Sequence, residues 1–176
     1  MNLEERIKHA MIDVHDFPTP GIVFKDITPL FQDPSLLNDL VDAMAEACKD
    51  QRIEAIVGLE SRGFLLAVPL SMRLGIPFIM VRKKGKLPRE CHSVSYDLEY
   101  GSSTIEMHKD ALPAGSRVLI HDDVLATGGT AEAAAKLVQQ AGAEVAMFQF
   151  IVELTFLKGM DRMLPYTNSV TTFASF

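Results

Sequence analysis

Apolar residues recur along this chain in two rhythms, and the change from one to the other marks out an architecture. Near the start, Leu3, Ile7, Met11 and Val14 fall three to four apart, which predicts one stripe of a helix ending before Pro18. The proline-crowded stretch FPTPGIVFKDITPLFQDP (17–34) then reads as an extended, ordered loop over the body of the protein. From Ser35, read as an N-cap, the positions Leu36, Leu37, Leu40, Val41, Met44 and Ala47 describe an amphipathic helix to about Lys49. After that the rhythm shortens. The unbroken apolar runs IEAIVGL (53–59) and IPFIMV (76–81) predict buried strands, and GFLLAVPLSMRL (63–74) between them predicts a helix. A second unit repeats the theme with RVLIHDD (117–123), GGTAEAAAKLVQQAG (128–142, closed by Gly142) and EVAMFQFIVEL (144–154).

Between the two units lies the polar stretch KKGKLPRECHSVSYDLEYGSS (83–103). In its second half Val94, Tyr96, Leu98 and Tyr100 alternate with Ser95, Asp97 and Glu99, as in a half-exposed strand or hairpin arm. Two βαβ units predict a single α/β domain over residues 1–176, a doubly wound, mainly parallel sheet flanked by helices. Ligands of such a sheet sit beyond the carboxyl ends of its strands.

Composition narrows the function. A chain of 176 residues, 48% of them hydrophobic, can bury one substantial core. Its formal charge of −6 gives no overall field toward nucleic acid or an anionic membrane, so any bound anion must be held by a local cluster. Arg82, Lys83, Lys84 and Lys86 form such a cluster. No apolar run approaches the roughly 20 residues of a membrane span, and the first residues lack a signal-peptide core, which points to a cytosolic protein. Two cysteines, Cys48 and Cys91, are too few for a disulfide framework, and neither they nor the histidines show metal-ligand spacing.

The most informative stretch is VLIHDDVLATGGT (118–130), where a strand delivers two carboxylates and a small-residue turn opens into a helix. Ala126, Thr127, Gly128, Gly129 and Thr130 carry little side-chain bulk, so their backbone N–H groups can surround a phosphate at the positive end of that helix. Asp122 and Asp123 precede the turn at a separation suited to the vicinal hydroxyls of a ribose whose 5′-phosphate fills it. Two adjacent acids beside an anion site make sense only if they face a sugar, a cation or a developing positive charge. The turn is neither a Walker A loop nor a GxGxxG fingerprint. Arg62, just after the first buried strand, could reach further anionic oxygens with its planar fork.

The run of hydrophobics, DD and ATGGT resembles the phosphoribosyl-pyrophosphate signature of the type I phosphoribosyltransferase family, most closely its adenine-using members. The resemblance extends over nearly the whole chain. FPTPGIVFKDITPLFQDP is similar to the family's base-binding hood, ESRGF (60–64) to its pyrophosphate loop, RKKGKLP (82–88) to the basic edge of its mobile loop, SYDLEYG (95–101) to the acid-bearing arm, and VELTFLKG (152–159) to its C-terminal signature. It implies a hood within residues 1–34, a mobile loop over 83–103 and the substrates adenine and 5-phosphoribosyl-1-pyrophosphate. It also implies Mg2+ held mainly by substrate and water without a direct protein ligand, and a homodimer.

By resemblance Phe24 and Leu154 sandwich the adenine ring, while Val23 and Lys25 supply backbone hydrogen bonds to its rim. Arg62, Arg82, Lys83 and Lys86 hold pyrophosphate, Arg62 also acting in catalysis, and Glu99 handles the proton at N7 of the base. Three places depart from the family pattern: Lys25 stands where arginine is expected, His121 where an apolar residue is common, and PRECH (88–92) where the family's loop is richer in small residues and proline. A transferase for another base, or a regulator sensing the same pyrophosphate, remains open at this point. A nucleic-acid-binding regulator would need a basic surface or an added domain that the chain lacks.

Overall fold

A computed structural model of the chain describes residues 1–97 and 101–176. Helix α1 spans Leu3–Ala10, with an Asn2–Glu5 capping box at its start. It is shorter than the sequence pattern suggests. Met11 caps it in an extended conformation, and Val14 belongs instead to strand β1 (Ile12–His15). The cause lies downstream: Gly21, at φ +87°, reverses the chain, and its N–H is held by Asp16 Oδ1 at 2.7 Å. Strand β2 (Val23–Asp26) then pairs antiparallel with β1. The stretch expected to be an extended loop therefore contains a strand, followed by a 3-10 turn over Thr28–Gln32 that Pro29 starts. Helix α2 (Pro34–Ala47) is capped by Asp33, whose carboxylate accepts from Ser35 and Leu36 N–H, so Ser35 lies inside the helix it was expected to cap.

The two βαβ units form as the apolar runs predict. Strand β3 (Ala55–Leu59), helix α3 (Gly63–Leu74) and strand β4 (Phe78–Lys83) make the first, with β3 parallel to β4. Strand β7 (Arg117–Leu125), helix α4 (Gly129–Gln140) and strand β8 (Glu144–Glu153) make the second, also parallel. The polar stretch between them supplies β5 (Cys91–Asp97), which runs antiparallel to β6 (Ser102–His108), and β6 in turn runs antiparallel to β4. As the alternation predicts, Val94 is buried while Ser95 and Asp97 are exposed. Strands β6 and β9 (Val170–Ser175) are not marked by any apolar rhythm in the sequence.

The main sheet has the order β5-β6-β4-β3-β7-β8-β9. From β3 the chain moves outward on one side to β4, then returns to place β7 on the other side of β3. The crevice between the carboxyl ends of β3 and β7 is thus the topological switch point, where open α/β sheets bind ligands. One face of the sheet packs against α1, α2 and α3 through Ile7, Leu36, Leu40, Met44, Leu66 and Leu70. The other packs against α4 through Ala131, Ala134, Leu137 and Val138.

Polar groups inside the first of these layers are few. His121 is fully buried, its Nδ1 2.9 Å from the carbonyl of Gln149, and Gln149 Nε2 donates to Met44 O at 3.1 Å. Burial drives the His121 imidazole down to a pKa of about 4, against the backbone hydrogen bond and the Asp123 charge, so the ring is neutral. The unfolded chain takes up that proton near pH 6.5, so this residue's stabilising contribution is complete above that pH and is lost as the pH falls toward 4. The loss amounts to about 3 kcal/mol. His121→Leu should therefore show a flatter denaturation midpoint between pH 6.5 and 4 than the parent; equal slopes would mean that His121 titrates alike in both states. Cys48, beside Gln149, is buried and its thiol is pushed up to about 11, consistent with a small packed hydrophobe.

Candidate functional site at the switch point

Strand β7 runs two residues past the acids, because Val124 and Leu125 pair with Val152 and Glu153 of β8. Asp122 and Asp123 therefore sit on a rigid strand rather than in a loop. Beyond Leu125 the chain turns through Ala126, Thr127 and Gly128 into α4. Among the described residues, no backbone or side-chain group accepts a hydrogen bond from the N–H groups of 126–130. The same residues, with Asp122, Leu125 and Phe150, line a cavity of about 70 Å³. Free amides converging at a helix N-terminus can receive a tetrahedral oxyanion. A larger cavity of about 430 Å³ opens at the opposite, amino ends of the strands. It is lined by Pro77, Pro113 and their neighbours, and its one charged lining residue, Glu54, already accepts from Arg117 N–H at 2.8 Å.

Close backbone approach shapes the turn. Gly128 adopts φ +80°, and a Cβ there would lie 2.8 Å from the carbonyl oxygen of Gly159. Gly159 in turn has no room for a side chain, since a Cβ would collide with Ala126 O. The 152–159 segment is thus pressed against the turn, and Leu154 N–H donates to Leu125 O at 2.9 Å. Tyr96 touches from the other side: its hydroxyl lies 3.0 Å from Thr130 Oγ1. Sequence reasoning passed over Gly159 and Tyr96, although a glycine in the C-terminal signature and an inward position on the alternating strand were the available signals.

The two acids differ. Asp123 is 4% exposed and ion-pairs through Oδ2 with Arg62 Nε. Asp122 accepts the N–H of Asp123 at 2.9 Å. Burial, and then the neighbouring Asp123 charge, raise the Asp122 pKa well above the ordinary aspartate value, with Arg62 opposing. Arg62 reaches them from the β3–α3 turn, where the Glu60–Ser61 peptide is cis and Arg62 occupies the N-cap position just before α3. The turn comes this close because Gly63 lacks a side chain; a Cβ there would stand 2.9 Å from Asp122 Oδ1. Arg62 also lies beneath the hood, its guanidinium carbon 5.8 Å from the Phe24 ring centroid. Phe17 packs edge-on against that ring at 5.2 Å.

The basic cluster divides. Arg82 is engaged with Glu60 through Nε and Nη2, both at 3.3 Å, and Glu60 also accepts Lys83 N–H at 2.8 Å. Burial acts to raise the Glu60 pKa, yet that N–H and Arg82 outweigh it and leave the carboxyl below its usual range. Lys83, Lys84 and Lys86 have no ion-pair partner among the described residues. The structure therefore gathers Arg62, Asp122, Asp123, residues 126–130, Phe24 and Leu154 around one crevice. It places the ammonium of Lys25 elsewhere, on Asp13. Glu99 lies outside the described residues.

An amide-lined turn and a carboxylate pair at the switch point of an α/β sheet offer donors for an oxyanion beside acceptors for hydroxyl groups or a cation. Comparison with known proteins bears on the same point: the phosphoribosyl transferase domain family matches residues 29–173. An adenine phosphoribosyltransferase of Cytophaga hutchinsonii is 48% identical over 174 residues, covering 99% of this chain and 96% of that protein. The crystal structure of adenine phosphoribosyltransferase from Thermoanaerobacter pseudethanolicus superposes with a TM-score of 0.94 at 44% identity, covering 99% of this chain and 100% of that one. The Saccharomyces cerevisiae adenine phosphoribosyltransferase, solved with adenine and an imino-altritol bisphosphate, gives 0.90 at 44% identity, covering 97% and 98%. The chain belongs to the phosphoribosyltransferase family.

Proposed function

We propose that this chain transfers the 5-phosphoribosyl group of 5-phosphoribosyl-1-pyrophosphate to adenine, giving AMP and pyrophosphate. The uncommitted N–H groups of 126–130 beside Asp122 and Asp123 carry the reading, since they suit a 5′-phosphate and a ribose diol respectively. The bond from C1′ to pyrophosphate breaks, adenine N9 bonds to C1′, and the proton displaced from the base leaves through Glu99 at N7. Charge develops with opposite sign at the two ends of the breaking bond. Arg62, with Lys83 and Lys86 and Arg82 behind them, neutralises the leaving group, while the carboxylates stabilise the oxocarbenium-like sugar.

Mg2+ would be held mainly by substrate oxygens and water, where the hard carboxylate oxygens of Asp122 and Asp123 suit a cation, and would neutralise pyrophosphate charge. Phe24 and Leu154 sandwich the base, and backbone groups of Val23 and Lys25 read its rim; a side chain spent on Asp13 suits a role played by the backbone. Closure of the 83–103 arm keeps water from the sugar cation. A homodimer is supported by an unusual apolar stripe on α3, where Leu65, Val68 and Met72 are 51%, 41% and 78% exposed. Two free cysteines and the lack, among the described residues, of a helix long and apolar enough to cross a membrane accord with a cytosolic enzyme.

The test is direct: incubate the protein with Mg2+, 5-phosphoribosyl-1-pyrophosphate and labelled adenine, hypoxanthine, guanine or orotate. Nucleotide from adenine alone is expected. Nucleotide from a 6-oxopurine or orotate at a higher rate would reassign the base, and none from any base would remove the activity.

A further inference from the structure

The hood is a separate two-stranded sheet, with no strand pairing to the main sheet among the described residues. Side chains must therefore fix its distance from the body, and one such contact is unusual. The Lys25 ammonium lies 4.4 Å from the ring centroid of Phe176, a cation–π distance, while Asp13 Oδ1 accepts from it at 2.7 Å. Lys8 approaches the same ring at 5.5 Å. The backbone of Phe176 is itself tied down. Its N–H donates to Glu153 O at 3.0 Å, and its carbonyl accepts from Thr155 N–H at 3.0 Å and Thr155 Oγ1 at 2.6 Å. These partners flank Leu154. One aromatic residue thus bridges the two walls assigned to the base: 153–155 through its backbone, and β2 through its ring.

We propose that Phe176 is a positioning residue for the base, the post on which Lys25 braces the hood so that Phe24 stands at the right separation from Leu154. The inference rests on the adenine reading above. Lysine, standing where arginine was expected, keeps the charge and reach that a strut between Asp13 and an aromatic face needs. The ring contributes nothing to the phosphate turn, which lies beyond Leu125.

The prediction is a split between the two substrates, measured by steady-state kinetics on the full chain. Phe176→Leu keeps the apolar volume but loses the π face, and should raise KM for adenine about 5-fold or more while leaving KM for 5-phosphoribosyl-1-pyrophosphate within about twofold. Phe176→Tyr should restore the parent value. Lys25→Met, which also frees Asp13, should raise adenine KM at least as far as Phe176→Leu, and the double variant should be no worse than Lys25→Met, because both changes remove the Lys25–Phe176 contact. The proposal is overturned if adenine KM stays put, if both KM values rise together, if tyrosine fails to rescue, or if the two changes add. Should Phe176→Leu not fold, Lys25→Met and Phe176→Tyr still decide it. Turnover of adenine by the parent protein in the same assay separates failure here from failure of the assigned reaction.

Discussion

Gly128→Ala is expected to cost roughly a hundredfold or more in kcat/KM for 5-phosphoribosyl-1-pyrophosphate, together with a measurable loss of thermal stability. Two causes add. At φ +80° the new Cβ meets a left-handed penalty of about 1–2 kcal/mol, and it lies 2.8 Å from a backbone oxygen, Gly159 O, that no rotamer change can move. The relief is a shift of the 126–130 turn, which splays the very amides meant to converge on phosphate. Gly115→Ala separates strain from function. That glycine has φ +82° but nothing within 4 Å of its Cβ position, and it lies at the other end of the sheet, so its replacement should lower stability and leave kcat/KM alone. If Gly128→Ala loses stability yet keeps the parent KM, the turn does not seat the phosphate.

Asp122→Asn should move activity and stability in opposite directions. In the free protein Asp122 is held above its ordinary pKa by burial and by Asp123. A carboxyl whose folded pKa is raised gives its full stabilisation below about pH 4, and that stabilisation is lost as pH rises through the folded value. At neutral pH the folded state therefore bears a penalty at this carboxyl. An asparagine, whose oxygen can still accept the Asp123 N–H, removes it. The melting temperature should rise by about 3 °C or more at pH 7 and match the parent near pH 4. The same change weakens a charge-assisted acceptor for the ribose and should lower kcat/KM roughly 10- to 100-fold. A variant that is both more stable and fully active would show that the sugar does not use this carboxylate.

The fold was legible where the chain obeys one rhythm at a time. Helix α3 matches its expected bounds, 63–74, because glycines close both ends and the apolar run between them is too long for a strand. The hood was misread because Met11 and Val14 continue a helical spacing while Ile12 and Val14 also alternate. Only the reversal at Gly21, with β2 as a partner, decides between them, and that information lies about ten residues away. Strands β6 and β9 escaped because threonine and serine at several of their positions blunt any hydrophobic signal. At the site, contiguous residues were readable: the acids and the small-residue turn are adjacent in sequence, so their chemistry shows in the letters. Gly159, Tyr96 and Phe176 come from distant segments. Each matters through what it presses against, and no local pattern announces such a contact.

The mutual fit of Gly128 and Gly159 carries a lesson for anyone redesigning the nucleobase preference. The strip bearing Leu154 is also the surface against which the 126–130 bend is moulded, so transplanting that strip from a relative with another preference reshapes the bend as well. On the reading proposed above, a donor segment lacking glycine at its eighth position would bring a new base wall and, with the same stroke, unseat the sugar.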